Sequence, residues 1–234
     1  ASVTLFKSGA QISGVNGIHF GPDGMLYATS VIGSTISVVD TQAKKIVSEY
    51  GPDQGVYGPD DVAFNSRGDF FWTSILTGQV AGLLNDGTLV TAAQLGPGVN
   101  PITFSDDDRL FVSQCFFDTG LFEVDPTGAT SARSIRDDLG PGCGLNGMDW
   151  GPDGRLYVAD TGNHSIRCVD REGNVSTVAG RRWEEGAEPE SIDGDLTVAR
   201  FSCPEAVAVA SDGTIYVGEA EGKRVRQIRE GVVS

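Results

Sequence analysis

A short segment recurs five times along the chain, and no other feature constrains the fold as much. Each copy opens on a polar residue, alternates apolar positions, turns tightly and enters a second apolar run. The clearest copies are Asn16-Gly17-Ile18-His19-Phe20-Gly21-Pro22-Asp23-Gly24-Met25-Leu26-Tyr27 and the stretch from Asn146 to Tyr157. Period-two alternation on either side of a Gly- and Asp-bearing turn is the signature of a β-hairpin. The turns fall at Gly21-Pro22-Asp23-Gly24, Ser66-Arg67-Gly68-Asp69, Asp106-Asp107-Asp108-Arg109, Gly151-Pro152-Asp153-Gly154 and Ser211-Asp212-Gly213-Thr214. The first four are 40 to 45 residues apart, and the longer last step matches an insertion from Arg181 to Arg200.

Within the fourth repeat, strands are expected over 147–150, 156–159, 165–170 and 175–179, with Gly, Asp and Asn at every break. Four short strands per period of about 40 residues make a propeller blade. The expected fold is therefore all-β, a five-bladed β-propeller of four-stranded blades in a single domain over 1–234. The N-terminal strand Ser2-Val3-Thr4-Leu5-Phe6 is expected to complete the last blade beside Lys223–Arg229, which removes two free sheet edges. No stretch has the i, i+3, i+4, i+7 apolar spacing of an amphipathic helix.

The net charge of −15 repels phosphate backbones and anionic lipid, so nucleic acid and membranes are not expected partners. No run of about 18 apolar residues is present to span a bilayer. Four cysteines, at 115, 143, 168 and 203, lack the paired spacing of a zinc site. Cys143 and Cys203 occupy equivalent places in successive repeats, which makes them candidates for a disulfide, with buried thiols as the alternative. The absence of Met at position 1, with the acceptor patterns Asn163-His164-Ser165 and Asn174-Val175-Ser176, points toward a secreted protein; a monomer is expected.

Aligned on their turns, the repeats place Asn16, Asp60, Asn100, Asn146 and Glu205 at one equivalent position, where each innermost strand begins. Five such side chains should converge near the channel axis. Two carboxylates and three amide carbonyls form an oxygen-rich anionic set of the kind hard divalent cations choose, Ca²⁺ first among them. The alternative is a cap bonded to neighbouring backbone and trapped water. The turns between second and third strands open on the same face, and three of them are apolar: Val31-Ile32, Ile75-Leu76 and Phe116-Phe117. The insertion, carrying Trp183, reaches this face as a lid or a plug. Ile32, Leu76, Phe116, Phe117 and Trp183 are thus the expected wall of a pocket for a largely apolar or aromatic small molecule. His164 reads as a turn residue, and His19 as packed between blades.

The stretch Asn146 to Asp160 resembles a blade of the SMP-30/gluconolactonase/LRE-like superfamily, as does Phe71-Trp72-Thr73-Ser74-Ile75-Leu76-Thr77-Gly78. Residues 160–167 and 199–205 look more like NHL repeats. In lactonases of that superfamily a divalent ion is held by Glu, Asn, Asn and Asp, and the second acid doubles as base. The resemblance implies the same set here as Asp60, Asn100, Asn146 and Glu205, with the acids exchanged in type, Asn16 as an additional member, and Glu205, or else Asp60, as catalytic base. The chain departs from the superfamily in its five repeats, where six are usual, and in Gly98, where sugar lactonases often carry Arg. The expected activity is metal-dependent esterase or lactonase hydrolysis. The alternatives are a non-hydrolytic condensation or cyclisation, as in the related strictosidine synthase, and a non-catalytic NHL-type binding propeller.

Overall fold

A computed structural model describes residues 14–115, 119–136, 144–181 and 190–234. The first sheet contains β1 (Val15–Phe20), β2 (Leu26–Ser30), β3 (Thr35–Asp40) and β4 (Lys45–Tyr50). The second contains β5 (Pro59–Phe64), β6 (Phe70–Ser74), β7 (Gln79–Leu83) and β8 (Leu89–Gln94). In the third are β9 (Val99–Phe104), β10 (Leu110–Gln114), β11 (Gly120–Val124) and β12 (Arg133–Arg136). The fourth holds β13 (Leu145–Trp150), β14 (Leu156–Asp160), β15 (Ser165–Val169) and β16 (Val175–Gly180). In the fifth, β17 (Gly194–Asp195) precedes β18 (Pro204–Val209), β19 (Ile215–Glu219), β20 (Arg224–Arg229) and β21 (Val232–Val233). All five are antiparallel; the first four are meanders, the fifth is a β18–β21 meander with β17 added beside β21, and they match the five repeats one to one.

The repeated turn works as its residues dictate. Asp23 accepts the Met25 amide at 3.0 Å and the Tyr27 hydroxyl at 3.3 Å. Asp153 does the same for Arg155 and Tyr157 in the fourth sheet. An aspartate that closes its own turn and anchors the following strand explains why the sequence marks these positions so clearly.

Apolar side chains from successive sheets meet in four buried clusters, one at each seam. Tyr27, Ile36 and Val38 meet Val62, Phe70 and Trp72 between the first and second sheets. Phe71 and Val80 meet Ile102 and Val112 at the next seam, and Phe111 and Leu121 meet Leu156 and Val158 after that. Ile166 and Ala179 close on Ile215 and Val217 at the fourth. Among the described residues no comparable packing joins β18 to β1.

The sequence and the structure differ at the last blade. The outer edge of β20 pairs with β21, and β21 in turn with β17, so these two short strands occupy the place expected for the N-terminal strand. The N-terminal strand itself lies outside the described residues. In the described end of the insertion Ile192 bridges Arg200 and Ala199 is wholly buried, as is Phe201 just after it; Trp183 and the rest of 182–189 lie outside the described residues. Among the described residues no helix is long and apolar enough to cross a membrane.

Candidate functional site

Every innermost strand carries a bulge at its ring residue. The register of β1 on β2 jumps between Val15 and Ile18, so Asn16 and Gly17 together oppose Thr29. In the same way Asp60 and Asp61 oppose Thr73, Asn100 and Pro101 oppose Ser113, and Asn146 and Gly147 oppose Ala159. A shift also occurs at Glu205. Bulges re-aim a side chain out of the pleat, here toward the channel.

A bulge leaves a backbone amide without a ladder partner, and a hydroxyl supplies one. Thr29 Oγ1 accepts the Gly17 amide at 2.8 Å, and Thr73 Oγ1 accepts the Asp61 amide at 3.3 Å. Each hydroxyl then donates to the next sheet: Thr29 to the Asp60 carbonyl at 2.5 Å, Thr73 to the Asn100 carbonyl at 2.6 Å, and Ser113 to the Leu145 carbonyl at 2.8 Å. Thr161 does this for Pro204 at 2.7 Å, since the equivalent Ala159 has no hydroxyl. The ring residues are thereby tied to one another through the backbone.

All five ring residues line one cavity of about 530 Å³, as the alignment of the repeats requires. Asn16 Nδ2 donates to Asp60 Oδ1. Asn100 Nδ2 donates to Asn146 Oδ1 at 3.2 Å. Glu205 stands exposed beyond these two pairs. Close approach of the inner strands needs small residues: a Cβ on Gly147 would lie 2.8 Å from Ala206 Cα and from the Glu205 carbonyl. Gly98 is equally constrained, with φ of +94° and a Cβ position 2.0 Å from the Cys115 carbonyl, so the arginine seen in sugar lactonases has no room here.

A second cavity of about 790 Å³ adjoins the first and shares Asn16, Asp60 and Ile75 with it. Its remaining lining is Val31, Ile32, Leu76, Pro97 and Gly98, so two of the three described or expected apolar turns do wall a pocket. Phe116, Phe117, Trp183 and the Cys143–Cys203 pairing lie outside the described residues. His19 remains exposed, with its ring centroid 5.8 Å from that of Phe64, and the partial desolvation this neighbour imposes lowers its pKa against the opposing charge of Asp149. His164 Nδ1 accepts the Cys203 amide at 3.2 Å from a left-handed turn position, a structural role.

Burial raises the Asp60 carboxyl to about 6, with the Asn16 amide partly opposing the rise. Asp61, behind it, reaches about 7 for the same reason, although the amides of Val62 and Ile102 both donate to it. Asp61 is absent from the ring set read from the sequence; the only signal there was the acidic doublet. Among the described residues no three His, Cys, Asp or Glu side chains converge, so a cation would rest on amide oxygens as well as on Asp60 and Glu205. That donor set fits a hard cation. A buried carboxylate with one amide partner is the group such a charge would compensate.

Residues 143–169 match the NHL repeat. Human NHL repeat-containing protein 2 is 34% identical over 74 residues, 32% of this chain, and the alignment spans 9% of that protein. Among solved structures the fold is similar to catalytically inactive virginiamycin B lyase from Staphylococcus aureus with quinupristin. The TM-score is 0.73 at 15% identity, over 98% of this chain and 71% of that one. It is also similar to a gluconolactonase from Xanthomonas campestris, with TM-score 0.67 at 13% identity over 94% of this chain and 74% of that one. These likenesses show a β-propeller fold, with one NHL repeat at 143–169.

Proposed function

We propose that the joined cavities form a small-molecule active site at which a divalent cation, Ca²⁺ by its oxygen ligands, supports hydrolysis of an ester or lactone with an apolar or aromatic body. The observation that carries this reading is the position of Asp60, buried where the polar ring opens into the apolar chamber. Asp60, Asn100, Asn146 and Glu205 would hold the ion, with Asn16 orienting Asp60. A cation there would polarise the scissile carbonyl and acidify a water. Glu205, exposed across the cavity, would be placed to accept a proton from such a water, and Ile32, Ile75 and Leu76 would hold the apolar body. The gluconolactonase likeness agrees with a propeller hydrolase of this kind.

The test is hydrolysis of aryl esters and aromatic lactones by the metal-free protein before and after Ca²⁺ addition, with Asp60→Asn and Glu205→Gln alongside. Cation-dependent turnover that both substitutions abolish supports the reading; undiminished turnover in Glu205→Gln removes that residue from the base role. The size of the apolar chamber favours a second reading, in which a reactive intermediate is oriented for cyclisation without hydrolysis. It requires product formation that chelation leaves intact. A binding-only propeller, favoured by the NHL match, requires saturable ligand binding with no turnover.

A further inference from the structure

Two sheet faces at the ends of the series are built like seams, and no described strand packs against them. The residue of the third strand that pairs with the fourth position of the second strand is Ile36, Val80, Leu121, Ile166 and Val225 in the five sheets. The first four are fully buried against the following sheet, and Val225 is 73% exposed. Tyr216, equivalent to the buried Tyr27, Phe71 and Phe111, is exposed beside it. At the other end, Ile18 occupies the register position of Val62 and Ile102. It is 60% exposed where Val62 is 1% exposed, and Phe20 next to it is 59% exposed.

The faces are complementary halves of one kind of seam. Tyr216 and Val225 are what an inner strand packs upon, and Ile18 and Phe20 are what an inner strand presents. At the four described seams the equivalents of Val225 are buried and those of Tyr216, Ile18 and Phe20 are buried or half-buried, whereas all four of these side chains stand in water here, which is unfavourable for apolar surface. The polar ring shows the same break: Asn16 and Glu205, which flank the gap, are exposed, whereas Asp60 is buried and Asn100 and Asn146 are half-buried.

We propose that the gap between the fifth and first sheets seats one further four-stranded antiparallel blade of the same repeat, carried by the same polypeptide, and that this blade sets a sixth polar side chain into the channel between Glu205 and Asn16. Every seam described joins sheets that follow one another in the chain, so a blade in cis continues the established interface. A second copy is the poorer occupant. Joining the Val225 face of one copy to the Ile18 face of another is head-to-tail, which leaves a free face at each end of any pair, and a net charge of −15 opposes it.

The test compares the 234-residue chain with the same chain extended after Ser234 by a copy of residues 145–181. A copy of residues 204–234 serves where the first extension does not fold. Hydrogen exchange of β1 and β20 and binding of anilinonaphthalene sulfonate are the readouts. The proposal expects fast exchange in β1 and β20 and strong dye binding for the 234-residue chain, both falling severalfold on extension. Ile18→Asp and Val225→Asp should be tolerated in the short chain and destabilising in the extended one. Three results would overturn it. Exchange in β1 as slow as in β5 in a monomeric short chain, with both substitutions destabilising, means that five blades close directly. A concentration-dependent oligomer that either substitution dissociates means that a second copy is the occupant. Unchanged exchange and dye binding in both extended chains mean that the gap seats no blade.

Discussion

The hydroxyl of Thr73 donates to the carbonyl of Asn100 at 2.6 Å, and this bond ties a bulge in one sheet to a ring residue of the next. The same oxygen accepts the Asp61 amide at 3.3 Å, so one buried side chain serves two backbone groups that the bulge would otherwise leave unpaired. Thr73→Val keeps the shape and removes both bonds. It is expected to cost about 1–3 kcal/mol, the penalty for stranding buried polar groups. Thr73→Ser, which keeps the hydroxyl, should recover most of that. Urea unfolding of the three proteins measures the loss, and a Val variant as stable as the parent would show that the hydroxyl holds nothing.

Asp61 should make the metal-free protein less stable as pH rises. Its carboxyl titrates near 7 in the folded chain, because burial penalises the charge, against an unfolded value of 3.8. Between those values the folded state keeps a proton that the unfolded state has released, so stability is fully present below about pH 4 and is lost as pH climbs through 7. Asp61→Asn removes that slope. The stability of the variant relative to the parent, from urea unfolding in chelator, should therefore rise between pH 4 and 7 and level off above. A difference that is flat with pH would mean Asp61 is solvated.

The sheets were legible because each turn carries its own instructions. Asp23 and Asp153 close their turns locally, so spacing alone located the hairpins. The ring was legible for a related reason: five bulges at equivalent register place Asn16, Asp60, Asn100, Asn146 and Glu205 on one cavity. Asp61 was not, since its burial comes from β9 packing across it and no local pattern encodes that contact. Closure was illegible on the same grounds. The angle between sheets is set by how Trp72, Phe71 and Ile166 fill their seams, and the repeat period carries no record of it.

The strand approach that shapes the site can be pried apart at one atom. A Cβ on Gly147 meets backbone of Glu205, Ala206 and Val207, all at 2.8 Å, and backbone cannot rotate away as a side chain would. Gly147→Ala must separate β13 from β18. The expected cost is roughly 1–3 kcal/mol, as for other overpacked contacts. The same shift carries Glu205 away from Asn146, so the Ca²⁺ binding proposed for this ring, read by calorimetry, should weaken along with stability. A thermal midpoint and a calcium isotherm both equal to the parent's would show that the strands have slack.

Arg226 fastens the end of the insertion to the fifth sheet, and its removal should be among the costliest single changes in the chain. Its guanidinium is buried and lies 5.1 Å from the centre of the Phe201 ring. It donates to the carbonyls of Arg200 at 2.6 Å and Ile192 at 2.8 Å, and pairs with Glu219 at 3.4 Å and Asp193 at 2.5 Å. Glu219 in turn accepts the Ser202 amide and the Ser191 hydroxyl. Taking away one partner strands the other's charge and two carbonyls, a loss of about 3–5 kcal/mol for buried pairs. Because the two residues share one network, Arg226→Met combined with Glu219→Gln should cost less than the sum of the single changes, with a coupling of about 0.5–3 kcal/mol. Limited proteolysis adds a local readout: cleavage within 190–200 should accelerate in Arg226→Met before the other sheets open, since this guanidinium ties the Ile192 and Arg200 carbonyls and Asp193 to β20. Additive costs with unchanged cleavage would show that Ile192, Ala199 and Phe201 hold the segment without the arginine.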